Sequence, residues 1–232
     1  MKNWIFWDFD GTLGFREGMF SGALFKVLNE KFPDNNIMVQ DISKELKSGF
    51  PWHNPENSYE SLSNPKAWWD YVENIFYNAY INCGIGIEAS KELSVSAHFE
   101  YINPDSFRLF PDTVEVLKYF KDHGWSNAIL SNHVPELPTI IDSLGLSHLV
   151  EYCISSANIG YEKPNKMFFQ KSLSIIGEIQ DSWMIGDSYN ADVKGAENSG
   201  IKAILVRSKI VEGVKYYSRD LLGLKDIIVC SM

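Results

Sequence analysis

Two aspartates stand two residues apart near the N-terminus, in Trp7-Asp8-Phe9-Asp10-Gly11-Thr12, at the end of an apolar, β-prone run. On a strand, a period of two sends both carboxylates to one face. Like charges so placed repel unless something positive lies between them, and magnesium, which takes oxygen ligands, is the economical answer. Gly11 and Thr12 then let the chain turn sharply and offer backbone amides to an anion. Three further polar groups share this setting. Ser131-Asn132-His133 follows the apolar Ala128-Ile129-Leu130; a hydroxyl and free amides at a strand end suit a phosphate oxygen, though the same residues also make turns and helix caps. Lys163 precedes Pro164 at a helix start, where its charge can neutralise a phosphoryl oxygen and a nucleophile. Asp187 closes the apolar stretch Trp183-Met184-Ile185-Gly186, with Asp192 five residues on. An acid at the end of a buried strand is costly without a partner, which a helix N-terminus or a metal supplies. Asp192 can ligate through water or hold Lys163.

The elements that must carry these residues alternate. Trp4 to Asp10 reads as a buried strand. From Thr113 onward the pattern runs helix 113–123, strand 127–131, helix 137–144, strand 152–155, helix 166–176, strand 183–186, helix 191–199 and strand 203–206. Repeated units of this kind imply an α/β fold with a Rossmann-like parallel sheet flanked by helices. Between the first strand and the rest, residues 15–107 have helical periodicity throughout. Asn64-Pro65 is an N-cap with a first-turn proline, and Gly84 is a stop. The expected organisation is therefore a core of residues 1–14 and 108–232, with an all-helical cap, 15–107, inserted after the first strand and sitting above the sheet's C-terminal edge. Ligands of open α/β sheets bind at that edge.

Taken together, Asp8-Phe9-Asp10-Gly11-Thr12, Ser131-Asn132, Lys163-Pro164 and Gly186-Asp187-Ser188 through Asp192 resemble the motifs of the haloacid dehalogenase-like (HAD) hydrolase superfamily, in family order. The likeness continues through Gly195-Ala196 and Gly200-Ile201, and the helical insertion is similar to the cap of the C1-capped phosphatase branch. The resemblance implies that Asp8 attacks phosphorus and becomes an aspartyl-phosphate, and that Asp10 protonates the leaving alcohol and then activates water. Ser131 would bind the phosphoryl group, with Gly11, Thr12 and Asn132 beside it. Lys163 would stabilise its charge. Mg²⁺ would be held by Asp8, the Asp10 backbone carbonyl and Asp187, with Asp192 supporting. The dehalogenase branch lacks an acid where Asp10 stands, so a phosphatase is expected. A mutase of the β-phosphoglucomutase type shares the core and stays open. The physical need is independent of family: two unit charges ~4 Å apart repel by roughly 4 kcal/mol at an effective dielectric of ~20, and a cation reverses that sign.

Composition narrows the partners. The 232 residues carry a net charge of −9, a field that repels nucleic acid and contains no basic block to offset it. No apolar run reaches the ~20 residues that span a bilayer, and no signal-peptide core precedes Asp8, so a cytoplasmic enzyme acting on a small phosphorylated metabolite is expected. Nothing in the chain decides between a monomer and a homodimer. Cys83, Cys153 and Cys230 lack the spacing of a zinc site or disulfide framework. Substrate choice should fall to the cap and its borders: Arg16, Glu17, His133, and the proline-bounded loop 50–58 with Trp52 and His53, which is expected to help close the site. Trp52, Trp68 and Trp69 read as cap core before they read as a stacking platform. A phospho-receiver signalling module also places acids, a hydroxyl and a lysine around an aspartate, but it is shorter and has its acidic pair before the acceptor. A catalytically idle binding protein on the same fold is the other non-enzymatic reading.

Overall fold

A computed structural model describes residues 1–229; Cys230 lies outside the described residues. Strand β1 (Lys2–Trp7) is apolar on both sides. Its Ile5 and Trp7 enter one buried cluster and its Trp4 and Phe6 the other, as expected of a central strand covered on both faces. The chain then forms β2 (Gly14–Arg16), α1 (Met19–Lys31), α2 (Val39–Glu45), α3 (Pro65–Asn82), α4 (Ile87–Tyr101) and β3 (Phe107–Leu109). After these come α5 (Thr113–Asp122), β4 (Trp125–Ser131), α6 (Leu137–Ser143), β5 (Tyr152–Ser155), α7 (Ser156–Ile159), α8 (Lys166–Ile176) and β6 (Ile179–Gly186). A π-helical turn (Tyr189–Lys194) leads through α9 (Gly195–Glu197) to β7 (Lys202–Val206), β8 (Tyr217–Ser218) and α10 (Leu224–Val229).

The six-stranded sheet has the order β5-β4-β1-β6-β7-β8, and every pairing in it is parallel. This is the Rossmann-like α/β architecture expected. The chain steps outward from β1 to β4 and β5, then crosses back to β6 on the other side of β1. The strand order thus reverses at β1, and the crevice above β1, β4 and β6 is where such sheets bind ligands. On one face α8 packs Phe168, Phe169 and Ile176. On the other, α5 and α6 pack Val116, Leu117, Phe120, Leu137 and Ile140. That second cluster continues without a break into the inserted helices through Phe20, Trp68, Phe76 and Tyr101.

Several elements differ from expectation. β1 ends at Trp7, so Asp8 and Asp10 follow the strand rather than lie on it; Asp10 makes only an isolated bridge with Gly14. The two carboxylates are therefore placed by the turn, not by strand alternation. Both borders of the helical segment are short strands: β2 and β3 pair antiparallel, Gly14 opposite Leu109. Neither has the length or alternation that would reveal it in the sequence. The helix expected over 191–199 is a π-helical turn followed by one turn of α-helix. β6 starts four residues early because Ile179–Ser182, polar apart from Ile179, still pairs along β1.

Candidate active site

Asp8 leaves β1 with its N–H donated to the carbonyl of Ile185 (2.9 Å), which anchors it against the end of β6. Its side chain is buried, and Oδ1 accepts two hydrogen bonds, from Ser131 Oγ (2.8 Å) and Lys163 Nζ (2.8 Å). Lys163 is only 2% exposed. Its ammonium donates to Asp8, to the Leu130 carbonyl (2.8 Å) and to Asp192 Oδ1 (2.6 Å), which accounts for all three protons. Burial alone would lower its pKa; Asp192 and Asp8 outweigh that and raise it to about 12. Asp192 turns its other oxygen to the Ser188 N–H (3.0 Å). Burial holds Asp192 above the usual carboxylate range against the pull of Lys163.

Asp187 follows β6, half-buried, its carboxyl pushed up to about 6 by burial and then by the like charge of Asp8. Asp10 is raised well above its ordinary value, by burial first and by Asp8 and Asp187 next, with Arg16 and Lys163 opposing. Four carboxylates thus crowd around one lysine. Asp8, Asp187 and Asp192 can each bring an oxygen within 4.8 Å of the others. An all-oxygen donor set with surplus negative charge suits a hard divalent cation such as magnesium. The Asp10 side chain stays out of this group. Its Oδ2 lies 3.3 Å from Nε2 of His133.

The turn after Asp8 is closed on itself. The Gly11 N–H bonds the Gly14 carbonyl (2.8 Å), and the N–H groups of Thr12, Leu13 and Gly14 all reach the Phe9 carbonyl. Gly11 and Thr12 therefore have no amide to offer an anion, contrary to expectation, and neither lines the cavity. Gly11 serves by being small: at φ +82° a Cβ there would fall 2.4 Å from Asp187 Oδ2. Asn132 lines the cavity, but its side chain is engaged elsewhere. Its amide nitrogen donates to the Lys163 carbonyl (2.9 Å), and its oxygen accepts from the Lys163 N–H (2.7 Å). The side chain clasps the lysine's backbone.

A cavity of about 950 Å³ opens over this floor. Asp8, Asp10, His133, Lys163 and Asp192 lie on the sheet side; Phe20, Phe50, Trp52 and Tyr101 lie on the side of the inserted helices. The four rings stack nearly parallel, Phe50 on Trp52 at 4.6 Å and Phe20 on Tyr101 at 3.9 Å. Trp52 is thus a cavity wall as well as part of the aromatic packing, whereas Trp68 and Trp69 are buried. Arg16, Glu17 and His53 do not line the cavity. Arg16 is buried against Glu100 (2.9 Å), and Glu17 and His53 are exposed. The loop carrying Trp52 is tied to the core beside Lys163: Asn165 donates to the Pro55 carbonyl (2.8 Å) and Tyr59 N–H to the Gly160 carbonyl (2.8 Å). Tyr101 and the Asp10–His133 contact went unread in the sequence. His133 directly follows Ser131-Asn132, and that adjacency was its one available signal.

The model of the haloacid dehalogenase-like hydrolase family matches residues 2–200. The chain belongs to this family. Among curated relatives, this HAD-like hydrolase is 34% identical over 108 residues to the glyceraldehyde 3-phosphate phosphatase of Methanothermobacter thermautotrophicus, covering 45% of this chain and 47% of that protein. It is 28% identical over 138 residues to the phosphoserine phosphatase of Thermus thermophilus, covering 59% and 54%. The chain spans about half the length of these relatives. A HAD-hydrolase of Bacillus subtilis, solved bound to magnesium, superposes with a TM-score of 0.72 at 18% identity over 98% of both chains, a likeness of fold. Among the described residues, no helix of the HAD-like chain is long and apolar enough to cross a membrane.

Proposed function

We propose that this hydrolase is a magnesium-dependent phosphatase acting on a small phosphate monoester in the cytoplasm, through an aspartyl-phosphate formed on Asp8. The observation that carries the reading is the buried Asp8–Lys163–Asp192 linkage, with the high-pKa Asp10 facing the same cavity. The phosphatase names of two relatives agree with it.

In this reading the lysine and Ser131 hold Asp8 in one rotamer, so the nucleophile is prepared before substrate arrives. Asp8 attacks phosphorus as the ester oxygen leaves, and Asp10, whose burial favours the protonated form, gives that oxygen its proton. Asp10 then takes a proton from water, whose oxygen attacks phosphorus; phosphate departs and Asp8 is restored. Magnesium, held by Asp8, the Asp10 carbonyl and Asp187 with Asp192 in support, would supply positive charge to the phosphoryl oxygens and the nucleophile. Ser131 and Lys163 contact the phosphoryl group; Asn132, Gly11 and Thr12 act by holding the lysine and the turn in place. Residues 15–107 act as the cap, with Trp52 and its loop excluding water and selecting the substrate.

The test is phosphate release from a panel of phosphorylated metabolites, with and without Mg²⁺, for the wild type and Asp8→Asn. Mg²⁺-dependent release that falls by at least about 10³-fold in the variant is the expected result. Undiminished release by Asp8→Asn would reject the covalent route, and transfer of phosphate between sugar positions without net release would make the enzyme a mutase.

A further inference from the structure

His133 is an unusual residue to bury. Its side chain has no exposed surface, and neither ring nitrogen has an aligned hydrogen-bond partner among the described residues. An imidazole sealed away without partners costs free energy that a leucine or phenylalanine in the same space would not. The surroundings are built to hold it there nonetheless. Its backbone is fixed at both ends, the N–H donating to Ser156 Oγ (3.2 Å) and the carbonyl accepting from Ser155 Oγ. Its ring is boxed by Phe9 (5.7 Å, edge-on), Phe107 (5.9 Å) and Tyr101 (6.2 Å). The side that remains faces Asp10: Nε2 stands 3.3 Å from Oδ2, at ion-pair distance though not in line for an N–H···O bond. The second oxygen of Asp10, Oδ1, is buried and has no partner among the described residues. The two oxygens of one carboxyl are therefore inequivalent, one 3.3 Å from a fixed nitrogen and the other shut away from solvent.

We propose that His133 is a positioning residue that fixes the rotation of the Asp10 carboxyl and so aims it at the oxygen of the leaving alcohol. The role rests on the phosphatase reading, in which Asp10 handles that proton. Contacts of this kind are commonly loose in the free enzyme and tighten around substrate. His133 itself exchanges no proton with substrate; it sets the rotation of the group that does.

Such a role has a signature that loosened packing lacks. An aryl ester such as p-nitrophenyl phosphate expels a stable anion and needs little help from an acid, whereas an alkyl ester such as 2-phenylethyl phosphate needs the proton. The experiment measures kcat/KM, which covers the step that expels the alcohol, for both esters in wild type, His133→Phe and His133→Gln, with Asp8→Asn as control. General acid catalysis contributes about 10²–10⁴-fold, so partial misplacement of the acid should raise the aryl-to-alkyl ratio at least about tenfold in His133→Phe. The donor amide of His133→Gln should bring the ratio back toward wild type. If His133→Phe does not fold, His133→Leu takes its place. Equal losses on both esters, or no loss on either, would overturn the proposal while leaving the phosphatase reading intact. A wild type that releases no more phosphate than Asp8→Asn from either ester would overturn both.

Discussion

Lys163 does three tasks with one side chain: it neutralises Asp8, neutralises Asp192 and caps the carbonyl at the end of β4. Removing one member of a buried charge group exposes the cost of the others. Lys163→Met should therefore destabilise the chain by about 3–5 kcal/mol, read from urea unfolding, and abolish turnover. Adding Asp192→Asn removes one of the stranded charges and should recover part of that stability but none of the activity. Recovery of both together would mean that the lysine's part is structural only. At this scale the sequence was informative about residue types: an aspartate pair, a serine and a second acidic pair at or just past the ends of apolar runs, and a lysine before a proline at a helix start. Which atom meets which partner was not legible. Gly11 and Thr12 looked like phosphate donors because free amides after a strand suit an anion, but their N–H groups are already consumed by the turn, and the Asn132 side chain is engaged with the Lys163 backbone.

Elements position these residues by leaving room as much as by making contact. Gly11 admits Asp187 where a side chain would stand, and Gly186 does the same for Asp192, whose Cγ lies 2.1 Å from the place of a Cβ. Gly11→Ala combines a backbone cost of about 1–2 kcal/mol at positive φ with a direct displacement of Asp187. Displaced support of a metal ligand costs about 10–100-fold in affinity, so the Mg²⁺ concentration for half-maximal activity should rise at least tenfold. Gly200→Ala is the control: its φ is +80° but nothing lies within 4 Å of the new Cβ, so it should lose stability and leave the Mg²⁺ requirement alone. An equal rise in both variants would remove the steric explanation. The long elements were legible because their apolar period is strong; α8 falls on Lys166–Ile176 and β5 on Tyr152–Ser155, as read from the sequence. β2, β3 and β8 were not legible, being two or three residues each and held by pairing with distant chain rather than by local preference.

For the whole molecule, the pH dependence of stability has a contribution away from the carboxylate cluster. Glu162 is 2% exposed, and burial pushes its carboxyl up to about 7, against the opposing effects of a Ser156 hydrogen bond and the Lys163 charge. The folded state keeps a proton that the unfolded chain releases near its ordinary value of 4.5. Stability from this group is complete below that value, falls as pH rises toward 7 and is flat above, a loss on the order of 3 kcal/mol. Glu162→Gln abolishes the titration, so thermal melts should show it gaining on wild type between pH 5 and pH 8; a constant difference would exclude Glu162 as the source. The architecture was legible at this scale because β1, β4, β6 and β7 carry apolar residues on both faces and the long helices on one. The continuity between the inserted helices and one face of the sheet was not, since a shared apolar cluster leaves no mark on either segment alone. The small ribbon of β2 and β3 has a consequence for descent. Gly14 lies opposite Leu109, so the chain departs from the sheet and returns to it at adjacent points. A segment attached in this way can be lengthened, trimmed or exchanged between lineages without rethreading a single strand, and a reaction centre inherited unchanged can thereby acquire new substrates over evolutionary time.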